Sequence, residues 1–265
     1  MRLRALGRSF ARFSGSVRRA LRLLWAAPPA IRVLAIAIAI LALWGAANWI
    51  VQTVRKPAEV FFPVGGALAK TPLQTWREYG PLFREHSTAV IAPELLAALA
   101  QIEGAGNPVA RPRWTWRPSW NPFELYRPSS SAVGMLQITD AAFREAKRYC
   151  IRDHAVVKEG PWYDPGSCWF NGLYTRVVPS HAVEMTAALL DRGVASTLAR
   201  RGATLQQKQD LAAVIHLCGP SRGEAYARRG FRPGAAQRCG AQDLGGYLAQ
   251  VNTLKRQFVL LAAAD

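Results

Sequence analysis

The chain has 265 residues, half of them hydrophobic, and a formal charge of +17. That length predicts one or two domains with a substantial core. Residues 1–56 hold nine Arg, one Lys and no acid, so they contribute +10 and leave +7 to the remainder. Charge placed this way argues against a nucleic-acid-binding protein, which would carry it on its folded surface. The +7 suits either an ordinary solvated surface or an anionic polymer such as a cell wall.

The first 32 residues form a basic leader, broken from the adjoining apolar run by Pro28-Pro29. Residues 33–51 read VLAIAIAILALWGAANWIV, with no charge and with Asn48 as the one strongly polar side chain. At ~1.5 Å per residue this stretch, extended by Gln52 to Val54, crosses a ~30 Å hydrocarbon core. Trp44 and Trp49 sit toward its end, where indoles favour the interface. Eight Arg precede it, and Arg55 and Lys56 come directly after it. This asymmetry predicts a cytoplasmic N-terminus and a single-pass inner-membrane protein whose bulk lies in the periplasm. A cleaved signal peptide would have a shorter apolar run and a better cleavage signal than Gly45-Ala46-Ala47. An organellar transit peptide would explain the Arg-rich first 25 residues but not the apolar run.

The expected organisation is a leader over 1–32, an anchor over 33–54, a Pro- and Gly-containing linker over 55–87, and a mainly α domain over 88–265. Within the domain, APELLAALAQIEG opens with Pro93 and repeats Leu95, Leu96, Leu99 and Ile102 at helical spacing. Residues 107–132 carry five prolines and three tryptophans without helical periodicity, and are expected as a long functional loop. Thr139 and Asp140 start a helix through about Tyr149, and Ser180 and Thr204 cap two more. Cys218-Gly219-Pro220 ends the second of these, and a last amphipathic stretch runs from about Asp243 to Ala262.

All four cysteines come after the apolar run, which fits disulfides in an oxidising compartment. Four cysteines allow three pairings, of which Cys150–Cys168 with Cys218–Cys239 is the sequence-local one. Neither the cysteines nor His154, His181 and His216 show metal-ligand spacing, and no cofactor or metal is expected.

Glu103 falls four residues after Leu99 and seven after Leu96, on one helix face. A carboxyl at the edge of an apolar stripe is disfavoured in its charged form, and the neutral form can protonate a glycosidic oxygen. Downstream, Ser129 to Thr139 joins a small-residue turn containing Ser131 to the run Gly134-Met135-Leu136-Gln137-Ile138. Gly134 lets backbone approach a ligand closely, and Gln137 can pair with sugar hydroxyls or amides. Trp116, with Trp114 and Trp120, could stack on sugar rings or fold back onto the domain.

Taken together, Ile102-Glu103-Gly104-Ala105-Gly106-Asn107-Pro108, the Gly134–Ile138 run and Ile215-His216-Leu217-Cys218-Gly219-Pro220 resemble the three blocks of the lysozyme-like lytic transglycosylases. In that family a helix ends in Glu, followed by Asn-Pro, then Gly-Leu-Met-Gln, then Ala-Tyr-Asn-x-Gly. The resemblance spans roughly residues 88–230. Here the two middle residues of the second block are exchanged. Gly104 stands where Ser is common, His216 where Tyr is found and Leu217 where Asn is found, and the Pro/Trp segment is an insertion.

The resemblance implies a lysozyme-like α fold and cleavage of peptidoglycan between N-acetylmuramic acid and N-acetylglucosamine. Glu103 would be the single catalytic acid and base, and Gly134, Met135, Gln137 and His216 would line the glycan; Ser131 and, in the insertion, Trp116 are further candidate substrate-binding residues on their own chemistry. The alternatives are a hydrolytic muramidase, with Glu124 or Asp140 activating water, and an inactive peptidoglycan-binding scaffold beside envelope machinery.

Overall fold

A computed structural model describes residues 25–61, 65–164, 166–199, 201–234 and 237–264. The basic leader lies outside these except for its last eight residues. The apolar run becomes one helix, α1 (Pro29–Arg55), opened by Pro29 in the first turn. It is long and apolar enough to cross a membrane by length and composition, a test that a signal sequence also passes. Ile31, Val33, Leu34, Ile36, Ile38, Ile40, Leu41 and Leu43 are exposed along it, whereas Asn48 and Gln52 are buried against the rest of the protein.

The 55–87 stretch is not a simple linker. After two short 3-10 turns it forms α2 (Pro72–Glu85), with a reciprocal capping box between Thr71 and Gln74. Trp76, Tyr79 and Phe83 of α2 are buried in the main core. Pro57, Pro63, Gly65 and Gly66 gave the segment its linker character, yet the i, i+3, i+7 spacing of those three aromatics marks an inward helix face.

The chain then enters α3 (Pro93–Gly104), which packs against α2 and the last helix. Leu95 through Ala100 are all fully buried, so α3 is enclosed on every side rather than along one stripe. Each of its buried leucines contributes roughly 1.5–3 kcal/mol. The Pro/Trp segment is an antiparallel hairpin, β1 (Trp114–Trp116) with β2 (Tyr126–Pro128), in which Trp116 pairs with Tyr126.

Thr139 caps α4 (Asp140–Ala146) through Ala142 N–H, as expected. That helix stops early because Tyr149–Arg152 (β3) pairs with Ala155–Lys158 (β4). Helix α5 (Pro179–Thr197) begins with Pro179 rather than with a Ser180 cap. Helix α6 (Leu205–Cys218) carries the Thr204 cap, completed by Gln207. Pro220 ends α6 and opens α7 (Pro220–Arg228). A two-residue ribbon, β5 (Arg238–Cys239) with β6 (Gln242–Asp243), leads into α8 (Leu244–Ala263), capped by Asp243. The cysteines pair locally, Cys150 with Cys168 and Cys218 with Cys239. The domain is thus mainly helical, with small strands confined to its loops.

Candidate active site

Glu103 is the penultimate residue of α3, at the point where an enclosed helix emerges from the core. Its side chain is 14% exposed. The phenol of Tyr247 on α8 donates to Glu103 Oε1 at 2.8 Å. Burial is the main cause that raises the Tyr247 pKa, and the Glu103 charge and the hydrogen bond add to it, so the phenol stays protonated as a fixed donor. His216 Nε2 on α6 stands 3.9 Å from the same oxygen, beyond hydrogen-bond reach. Burial lowers the His216 pKa and Glu103 opposes the shift only in part, so a neutral imidazole faces the carboxyl near neutral pH. With Oε1 engaged by Tyr247, Oε2 is the oxygen available to a ligand.

The segment before α3 holds this helix end in place. Gln101 accepts from the Thr75 hydroxyl at 2.8 Å and donates to Lys70 O at 3.0 Å. Lys70 N–H donates to Ala105 O at 2.7 Å, where Ala105 turns into the left-handed region. Asn107 donates to Gly65 O and accepts from Val109 N–H. The Asn-Pro block therefore acts as a backbone clamp that joins α3 to the residues ahead of α2.

The second block lies directly against the first. A Cβ built on Gly104 would fall 2.7 Å from Met135 Cα and 2.8 Å from Met135 O. Glycine at 104 is thus the condition for backbone-to-backbone contact between the end of α3 and the 134–138 loop. Gly134 has φ +84°, and a side chain there would collide with Arg176 O. Met135 is fully buried and acts as packing beneath the loop, not as a ligand-facing group. Gln137 donates through Nε2 to Ala110 O at 3.1 Å and to Gly134 O at 2.8 Å. Its donors are therefore held by the loop, and Oε1 is what it can offer a sugar. The Ser131 hydroxyl accepts from Asp140 N–H, and its carbonyl accepts from Arg176, so Ser131 braces the start of α4.

A cavity of about 740 Å³ opens between α4, α5 and α6, with Gln137, Met185, Leu189, Arg192 and His216 among its lining. Glu103 does not line it. The link is His216, which lines the cavity and stands beside Glu103. The buried hydroxyl of Thr186 on the same wall has no hydrogen-bond partner among the described residues.

Of the two roles open to Trp116, stacking on sugar or folding back as packing, its contacts are those of packing. One stacking partner is Tyr126 at 4.8 Å and the other is Trp44 of α1 at 5.8 Å, so its faces serve the hairpin and its contact with α1. Glu124 is ion-paired with Arg55 and Arg127 in the same region. Asp140 is ion-paired with Arg176 at 2.7 Å. Sequence reasoning missed Tyr247, since a tyrosine in an amphipathic stretch carries no local sign that it will meet a residue 144 positions earlier. Compared with family models, curated proteins and solved structures, the chain finds no match.

Proposed function

We propose that this protein is a lysozyme-like lytic transglycosylase, held at the inner membrane by α1 with its catalytic domain in the periplasm. The observation that carries this reading is Glu103 itself. It is a mostly buried carboxyl at the end of an enclosed helix, with one oxygen fixed by a permanent phenol donor and the other left for substrate. The Gly104–Met135 backbone contact, which seats the second block against the end of α3 next to Glu103, supports it. The location is supported by the exposed apolar face of α1 and by two disulfides in the domain beyond it.

In this mechanism the Glu103 carboxyl donates its proton to the oxygen linking N-acetylmuramic acid to N-acetylglucosamine, and the C1–O bond breaks. Positive charge developing at C1 is stabilised by the substrate's N-acetyl oxygen. The muramyl 6-hydroxyl then adds to C1 and returns its proton to the Glu103 carboxylate, giving a 1,6-anhydro end without water. One residue serves as acid and then as base, so no second carboxylate is required. This agrees with the engagement of Glu124 and Asp140 in ion pairs elsewhere, which weakens the hydrolytic alternative. Tyr247 acts as a positioning residue for Glu103 through its hydrogen bond, and the neutral His216 stands beside the carboxyl. The test is mass spectrometry of muropeptides released from sacculi. Products lacking one water relative to hydrolytic fragments support the reading, and products retaining it would reassign the chain as a muramidase.

A further inference from the structure

The C-terminal half of α1 does not project freely from the domain. Trp44, Asn48 and Gln52 recur every four residues and so share one face. Each donates to a carbonyl of the β1–β2 hairpin: Trp44 Nε1 to Pro122 O at 3.3 Å, Asn48 Nδ2 to Tyr126 O at 2.7 Å, and Gln52 Nε2 to Phe123 O at 2.6 Å. Trp116 stacks on Trp44 at the same level. The hairpin therefore lies alongside about two turns of the helix.

Helix length turns this contact into a statement about depth. Arg32 marks the inner boundary of the apolar run, and twenty residues counted from Val33 end at Gln52, about what a ~30 Å hydrocarbon core requires. If the hairpin stood wholly in water, the span would have to end before Trp44. Val33 to Leu43 would then supply only about 16 Å of helix, and counting from Pro29 would give only about 22 Å. Neither crosses a bilayer. The hairpin must share the depth of the helix residues that bind it.

Much of its chemistry suits that depth, and Glu124 is ion-paired with Arg127 and with Arg55 at the outer end of α1. Unpaired backbone polar groups are costly in a bilayer, and the hairpin loop satisfies many of its own. Pro118 and Pro122 have no N–H. Asn121 N–H donates to Ser119 Oγ, Phe123 N–H to Asn121 Oδ1, and Glu124 N–H to Asn121 O. Three of its carbonyls accept from α1. At the tip, Trp120 is fully exposed, and Trp116 at the end of β1 is 68% exposed. Tryptophan presents a large apolar body with a single N–H, so an exposed indole can lie among acyl chains at little polar cost.

We propose that the β1–β2 hairpin is itself a membrane element: led by Trp120 and Trp116, it seats in the outer leaflet of the phospholipid bilayer beside α1. The inference rests on the reading of α1 as a membrane anchor. Its consequence is that the Glu103 domain is held at a fixed height and tilt over the membrane, rather than tethered by a loose stalk.

The test uses the full chain reconstituted in phosphatidylethanolamine–phosphatidylglycerol vesicles. Because all four native cysteines are bridged, a single introduced cysteine takes a spin label selectively. Three variants are compared: Trp120→Cys at the tip, Ile38→Cys in mid-α1, and Trp162→Cys on an exposed loop of the domain. Power saturation reads collisions with oxygen, which partitions into lipid, against those with a water-soluble nickel chelate. The proposal predicts oxygen-dominated collisions at 38 and 120 and chelate-dominated collisions at 162. Oxygen dominance at 38 with chelate dominance at 120 would overturn the hairpin proposal and leave the anchor standing. Chelate dominance at both 38 and 120 would overturn the anchor reading and the hairpin proposal with it.

Discussion

Gly104→Ser puts the residue common in the resembling family into this chain, and the structure predicts that it is harmful here. A Cβ at 104 would meet Met135 Cα at 2.7 Å and Met135 O at 2.8 Å. Both are backbone atoms of a loop fixed by Gly134 and by the Gln137 amide, so no flexible side chain can move aside. Helix propensity alone would favour the replacement by up to ~1 kcal/mol. Forced overpacking of this kind costs about 1–3 kcal/mol. The clash should win, leaving a net loss on the order of 1–2 kcal/mol, or a fall in Tm of roughly 2–8 °C for a domain of this size. Cleavage should suffer more than stability, because the 134–138 loop must shift relative to Glu103 and a ~1 Å misplacement can cost ~10²-fold in rate. Thermal unfolding of the detergent-solubilised protein, followed by near-UV circular dichroism, reads the first effect, and muropeptide release at a permissive temperature reads the second. An unchanged or raised Tm would refute the steric argument.

Removing the phenol with Tyr247→Phe keeps the ring packing and deletes one hydrogen bond to a carboxyl, at a cost of about 1.5–3 kcal/mol. It should lower kcat with little change in KM, and a kcat equal to wild type would show that the contact does not position Glu103. Burial lowers the pKa values of His86, His181 and His216 below the ordinary 6.5. The unfolded chain therefore takes up protons first as pH falls. Stability should be full above about pH 6.5 and decline below it toward the lowered folded values. Denaturant midpoints at about pH 7.5 and 5.5 test this, and a midpoint that held or rose on acidification would contradict it. The disulfides close loops with sequence separations of 18 and 21, each worth about 3 kcal/mol in chain entropy. Reductant should lower Tm, whereas four thiols titrating freely without reductant would rule the bridges out.

Much of the domain was legible because its helices carry their own punctuation. Pro93, Thr139, Thr204 and Asp243 each mark a helix start that the structure keeps. The local cysteine pairing was legible for the same reason, since each pair flanks one short excursion of the chain. Helix α2 was harder to read because Gly80 and Pro81 interrupt its aromatic face and a Pro- and Gly-bearing stretch precedes it. The hairpin was obscured by the five prolines of the 107–132 segment, which suggest irregular chain, although β1 and β2 need only three residues each. Trp116 illustrates a general limit: an indole declares what it can stack on, not which ring reaches it first. The site was half visible. Glu103 and the loop carrying Gly134 and Gln137 are sequence motifs, but Tyr247 enters through the packing of α8 on α3, a contact between segments far apart in the chain.

The central claim is that Glu103 alone does the acid and base work on a glycan strand. Its most direct test is Glu103→Gln, which preserves side-chain shape and can still accept from Tyr247 but cannot exchange a proton with substrate. Wild-type and variant protein, matched in Tm, would be incubated with sacculi and the released muropeptides weighed by mass spectrometry. The account predicts 1,6-anhydro products from the wild type and none above background from the variant. Equal release of the same products by both would contradict it.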